Sequence, residues 1–106
     1  MPSYLVETFL ARSRAGERSA GERRARSAAQ ALTKGSVHVS FERSIYVPED
    51  EICFFIFGAS SARDAALAAQ AAALEPIRVV EAISSKGRVP GKASCATTED
   101  NEGELP

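Results

Sequence analysis

Residues 36–58 place a strand that alternates directly before one that does not, and this pairing restricts the folds open to the chain. Val37, Val39, Phe41, Ile45 and Val47 alternate with Ser36, His38, Ser40, Glu42, Ser44 and Tyr46, the period-two signature of a strand with one apolar and one polar face. Pro48-Glu49-Asp50-Glu51 supplies turn chemistry. Ile52 to Gly58 then reads Ile-Cys-Phe-Phe-Ile-Phe-Gly, apolar on both sides. The two segments predict a hairpin whose second strand needs cover on both faces.

Further elements flank this hairpin. Residues 3–10 are rich in β-branched and aromatic types and predict a first strand, followed by a polar loop at 11–16. From 17 to 34 the period becomes helical, with Ala25, Ala28, Ala29 and Leu32 on one side, Arg23, Arg26, Gln30 and Lys34 on the other, and Gly35 as the C-cap. Ser60 or Ser61 caps a second, alanine-rich helix running to Leu74, with Asp64 in a capping-box-like position. Its buried side does not follow from periodicity. Residues 77–84 predict a last strand.

The order β-α-β-β-α-β is the split βαβ arrangement of ferredoxin-like domains, an α+β sandwich of a four-stranded antiparallel sheet with both helices on one face. The domain is expected over residues 1–84. Residues 85–106, with almost no large apolar side chain, are expected to form a disordered tail. Because the other sheet face lacks a cover, a homodimer is expected.

Charge narrows the function classes. Thirteen Lys+Arg oppose fourteen Asp+Glu, for a net charge of −1, so nothing recommends nucleic acid or an anionic membrane as a partner. No stretch approaches transmembrane length, the start has no signal-peptide pattern, and Cys53 and Cys95 lack metal or redox spacing. The chain therefore reads as cytoplasmic with free thiols, and no cofactor is expected. Phosphate loops, metal-ligand clusters, nucleophile triads and basic-aromatic nucleic-acid motifs are missing from the sequence.

The candidate site residues come from hairpin register. A symmetric turn at 48–51 sets Val47 against Ile52, Tyr46 against Cys53, Ser44 against Phe55 and Glu42 against Phe57. Val37, Val39, Phe41, Ile45, Val47, Ile52, Phe54 and Ile56 would then meet the helices. The opposite surface would combine His38, Ser40, Glu42, Ser44 and Tyr46 with Cys53, Phe55 and Phe57, an apolar floor with convergent polar groups. His38 and Glu42 would line one cavity as acid and base, with Tyr46 beside them; an ordinary wet face is the competing reading. A one-residue slip exchanges the faces.

Arg43 interrupts the row assigned to the helices, and Glu7 and Glu81 interrupt apolar runs in strands one and four. A carboxylate in a central strand must be paired, protonated or open to a cavity. A Glu7–Arg43 or Glu81–Arg43 ion pair is the structural expectation, and acid-base chemistry is the functional one. Cys53 reads as a small buried hydrophobe.

The run Val39 to Ala62, with Arg43-Ser44, Tyr46 to Glu51, Cys53-Phe54, Phe57 and Ala59 to Ala62, resembles a family of small bacterial proteins. That family is common in actinobacteria, is mostly of unknown function and is usually labelled nickel-binding. Glu7 and Val80-Glu81-Ala82 fit the same pattern, so the resemblance covers residues 1–84. It implies a ferredoxin-like homodimer. Members that suggest metal binding look histidine-rich in strand one and helix two, whereas this chain has Thr8, an Ala/Gln-rich helix and only His38. The leading expectation is a dimeric small-molecule-binding protein, with cofactor-free acid-base catalysis as its enzymatic form. A nickel-binding accessory protein and a purely structural or regulatory dimer are the rivals.

Overall fold

The computed structural model describes residues 1–83; residue 84 and the expected tail at 85–106 lie outside the described residues. The elements follow the expected order: β1 (Ser3–Phe9), α1 (Arg18–Lys34), β2 (Val39–Val47), β3 (Ile52–Ala59), α2 (Ala62–Ala71) and β4 (Arg78–Ala82). The strands form one antiparallel sheet in the order β2-β3-β1-β4. This α+β arrangement is compatible with a ferredoxin-like fold. No helix among the described residues is long and apolar enough to cross a membrane.

Local details differ from expectation at the connections. The polar segment after β1 winds into a 3-10 turn at Arg12–Glu17, closed by a two-bonded fork between Arg14 and Glu17 at 2.8 and 2.9 Å. Gly35 caps α1 with its N–H, but the left-handed residue there is Ser36, at φ 80°. The chain therefore enters β2 only at Val39, and His38 precedes the strand. At α2, Ser61 is the N-cap and its Oγ accepts the Asp64 N–H at 3.1 Å, satisfying one of the helix's orphan donors.

The core lies between the helices and one sheet face. α1 contributes Gly21, Ala25, Ala28 and Ala29, and α2 contributes Ala65, Ala68 and Ala69. Small side chains on both helices bring them close to the sheet, where Val6, Cys53 and Phe57 are fully buried. Phe41 stacks edge-on to Phe57 with ring centroids 5.5 Å apart, and the Arg26 guanidinium sits 5.3 Å above the Phe41 ring. Leu67 of α2 turns outward, so the alanine stripe is the packed side whose identity periodicity left open.

The faces of the hairpin are the reverse of those expected for most of its length. Register partners share a face, and Tyr46↔Cys53↔Thr8, Ser44↔Phe55↔Val6 and Phe41↔Phe57↔Tyr4 form the rows beneath the helices. Ile45, Val47, Ile52, Phe54 and Ile56, expected against the helices, lie on the open face. The expected register holds from Arg43 to Val47, then breaks at a β-bulge between Phe41 and Arg43. Glu42 is the extra residue, so Phe41 rather than Glu42 faces Phe57, and Val39 and Phe41 remain on the helix side as expected.

One charged residue and three hydroxyls explain this choice of faces. Glu7 in the central strand β1 points away from the helices, since burying an unpaired carboxylate beneath them costs several kcal/mol. The groups that go under the helices instead are hydroxyls, and each reaches a partner. Thr8 donates to the Cys53 carbonyl at 2.9 Å, Tyr46 to the Leu10 carbonyl at 2.8 Å, and Ser44 to the Glu22 carboxylate of α1.

Candidate functional site

On the open face the strands align in rows. Ser40, Gly58, Ser3 and Ala82 form a row of small residues at one end. Arg43, Ile56, Leu5 and Val80 come next, then Ile45, Phe54, Glu7 and Arg78. The surface is thus a shallow floor at one end and an apolar field with one charged pair beyond it.

The bulge brings chemistry to the shallow end. A Cβ on Gly58 would stand 3.0 Å from Glu42 Oε2 and 3.1 Å from Ser40 Oγ, so the missing side chain is what lets the Glu42 carboxylate lie over the sheet. From there its oxygens accept the Ser3 hydroxyl at 3.2 and 3.4 Å. A depression of about 420 Å³ opens beside it, with Glu42, Arg43 and Ser3 on one side, Leu5 and Ile56 in its floor, and Ile45 at its border. Arg43 makes no ion pair and no side-chain hydrogen bond among the described residues. A carboxylate, an unpaired guanidinium and a hydroxyl therefore converge over an apolar floor, which suits a small molecule with both a polar head and an apolar body.

The six candidate residues separate into three groups. Glu42 and Arg43 line the depression, and Glu81 reaches its rim from the edge strand β4, although its register partner Tyr4 sits in a helix-side row. Glu7 lies on the same face in the next row but one, bonded to Arg78 at 2.7 Å. The expected pairing of Glu7 or Glu81 with Arg43 is thus replaced by Glu7–Arg78, because β4 runs beside β1 and puts Arg78 directly opposite Glu7. His38 is exposed ahead of β2 and does not line the depression, and Tyr46 is directed under the helices, its hydroxyl occupied by Leu10. The cavity expected from His38, Glu42 and Tyr46 does not form, because the bulge separates Glu42 from the row of Tyr46.

Sequence reasoning missed Ser3, Gly58 and Arg78. The available signal was the consecutive pair Glu42-Arg43: two charged residues breaking a period-two pattern mark an inserted residue, and a bulge there removes the apparent intrusion of Arg43 into an apolar row.

The Cys53 thiol, fully buried beneath α1, is pushed up to about 11, chiefly by desolvation. At neutral pH it is a protonated core side chain rather than a nucleophile. Among the described residues no three His, Cys, Asp or Glu side chains come together as a metal-holding group.

Comparison of the chain with protein-family models, with curated proteins and with solved structures yields no match.

Proposed function

We propose that the protein is a homodimer that packs its open sheet face against a second copy and binds a small molecule in the depression beside Glu42 and Arg43. The observation that carries this reading is the apolar character of a face that no helix among the described residues covers. Leu5, Ile45, Val47, Ile52, Phe54 and Val80 all belong to it, with Ile45 44% exposed and Phe9 at its end 63% exposed. A contiguous apolar surface of this kind is uncommon on a monomer, and a two-fold axis lets one patch cover its own copy. The resemblance of residues 1–84 to a ferredoxin-like homodimeric family points the same way.

Pairing two such faces turns an open depression into an enclosed one. Enclosure matters chemically: water removed from around Glu42 and Arg43 strengthens their grip on a polar head, and Leu5 and Ile56 supply contact for an apolar body. Catalysis in this site would be acid-base work by Glu42, with Arg43 stabilising developing negative charge. Among the described residues no group of three metal-ligating side chains supports the nickel reading, and a purely structural dimer would bury the same face with the depression unused.

Sedimentation equilibrium on the full chain tests the assembly, with a mass of twice 11.3 kDa expected. Ile45→Glu places a charge on the apolar face, at a half-exposed position of the edge strand β2, and is expected to give a folded monomer. A wild-type chain that stays monomeric at high micromolar concentration refutes the dimer. A thermal-shift screen of small amphiphilic acids, with Arg43→Ala as control, tests the ligand. Binding that Arg43→Ala leaves untouched would remove the depression from consideration.

A further inference from the structure

A second cavity, on the helix side and independent of the open face, carries a different chemistry. It measures about 210 Å³ and lies between the 3-10 turn, the first turns of α1 and the chain that follows α2. Its lining includes three arginines, Arg14, Arg18 and Arg24, against two carboxylates, Glu17 and Glu75.

The three arginines are not equivalent. Arg14 is held in its fork with Glu17, and Arg24 Nε donates to the Ala72 carbonyl at 2.8 Å, which fixes both guanidinium groups at the cavity wall. Arg18 is half-buried and makes no ion pair and no side-chain hydrogen bond among the described residues. The cavity thus carries one more guanidinium than carboxylate, and two of its three guanidinium groups are already oriented, which leaves Arg18 as the side chain that binding has to order.

The walls are closely packed at one side and unusual in course at the other. Gly21, one turn along α1, lets the Phe55 ring approach the helix backbone, and the chain after α2 runs through Ala73 and Glu75 in the left-handed region, at φ 58° and 54°. Non-glycine residues pay for that conformation, and two in three positions hold this wall in an unusual course.

We propose that this cavity is a binding site for a small oxyanion, a phosphate or carboxylate group, with Arg18 as its principal ligand and Arg24 as the second. A planar guanidinium offers paired N–H donors matched to such a group, and the volume admits the anionic head of a metabolite rather than a macromolecule.

The test is an amide-resolved NMR titration of the full chain with inorganic phosphate and, separately, with malonate. Saturable shifts in the millimolar range are expected at Arg18, Gly21 and residues 73–75, and whichever anion saturates at the lower concentration identifies the preferred head group. Arg18→Gln is expected to weaken binding at least tenfold with an otherwise unchanged spectrum, and Arg18→Lys to weaken it less. Shifts that never saturate, that spread evenly to Arg12, Arg23 and Arg26 on exposed surfaces, or that persist at full strength in Arg18→Gln overturn the proposal. Because Ile45→Glu leaves this cavity intact, phosphate shifts retained in that variant separate this site from the fate of the open-face site.

Discussion

Gly21→Ala sets two opposing effects of known size against each other. Alanine is favoured over glycine inside a helix by about 0.8–1 kcal/mol, so substitution within α1 stabilises the fold if the new methyl group finds space. At position 21 it does not. The added Cβ would stand 3.0 Å from Phe55 Cζ and 3.3 Å from Cε1, while Leu74 Cδ2 at 3.8 Å is an ordinary contact. Phe55 is 4% exposed and packs against Phe41 at 6.2 Å between ring centroids, so a displaced ring pushes on a second ring. Overpacking of this kind costs about 1–3 kcal/mol. The clash outweighs the propensity gain, and a net loss of about 1 kcal/mol is expected, lowering Tm by about 4–8 °C for a domain of this size.

Thermal unfolding followed by circular dichroism measures the change, and two controls isolate its cause. Gly16→Ala makes the same chemical change where nothing lies within 4 Å, and its Tm is expected to stay level or rise. In a Phe55→Leu background the loss caused by Gly21→Ala is expected to shrink to nothing, a coupling that a double-mutant cycle reads directly. A wild-type-like or raised Tm for Gly21→Ala would refute the reasoning: it would mean that Phe55 swings into the cavity below Arg18 and that its ring is not pinned.

Two further outcomes follow from groups under the helices. Tyr46→Phe removes the hydroxyl that donates to the Leu10 carbonyl and is expected to cost about 1 kcal/mol in urea unfolding while leaving dimer mass and ligand shifts unchanged; altered ligand binding would restore Tyr46 to the site. For Cys53, a rise from 9.0 to about 11 means that the unfolded chain ionises first as pH climbs, so the thiol's contribution to stability is constant below about pH 9 and is lost between about pH 9 and 11. The limit is about 3 kcal/mol. In a Cys95→Ser background, comparing the pH dependence of unfolding with and without Cys53→Ala isolates this contribution; equal slopes would contradict the burial of the thiol.

The order of elements was legible in the sequence because it rests on local patterns. Alternation in β2, the turn at 48–51, the Ser61 cap and the alanine stripes are each decided by neighbours within a few residues. The register of the hairpin next to its turn was legible for the same reason, and Arg43 to Val47 pair as the turn dictates. So were two of the residues at the depression, Glu42 and Arg43, although the company they keep differs from that expected.

Which face of the sheet meets the helices was decided by tertiary structure alone. β3 is apolar on both sides, so Cys53, Phe55 and Phe57 suit a core as well as Phe54 and Ile56, and nothing within that strand distinguishes them. The decision comes from β1, across the sheet, where Glu7 finds Arg78 only on the open face and Thr8 finds the Cys53 carbonyl only on the other. A charge outside and a satisfied hydroxyl inside cost less than the reverse, and that long-range comparison turns the hairpin over. The bulge at Glu42 then lets Val39 and Phe41 stay in the core and lays a carboxylate over Gly58, a juxtaposition of residues sixteen positions apart that no local pattern encodes.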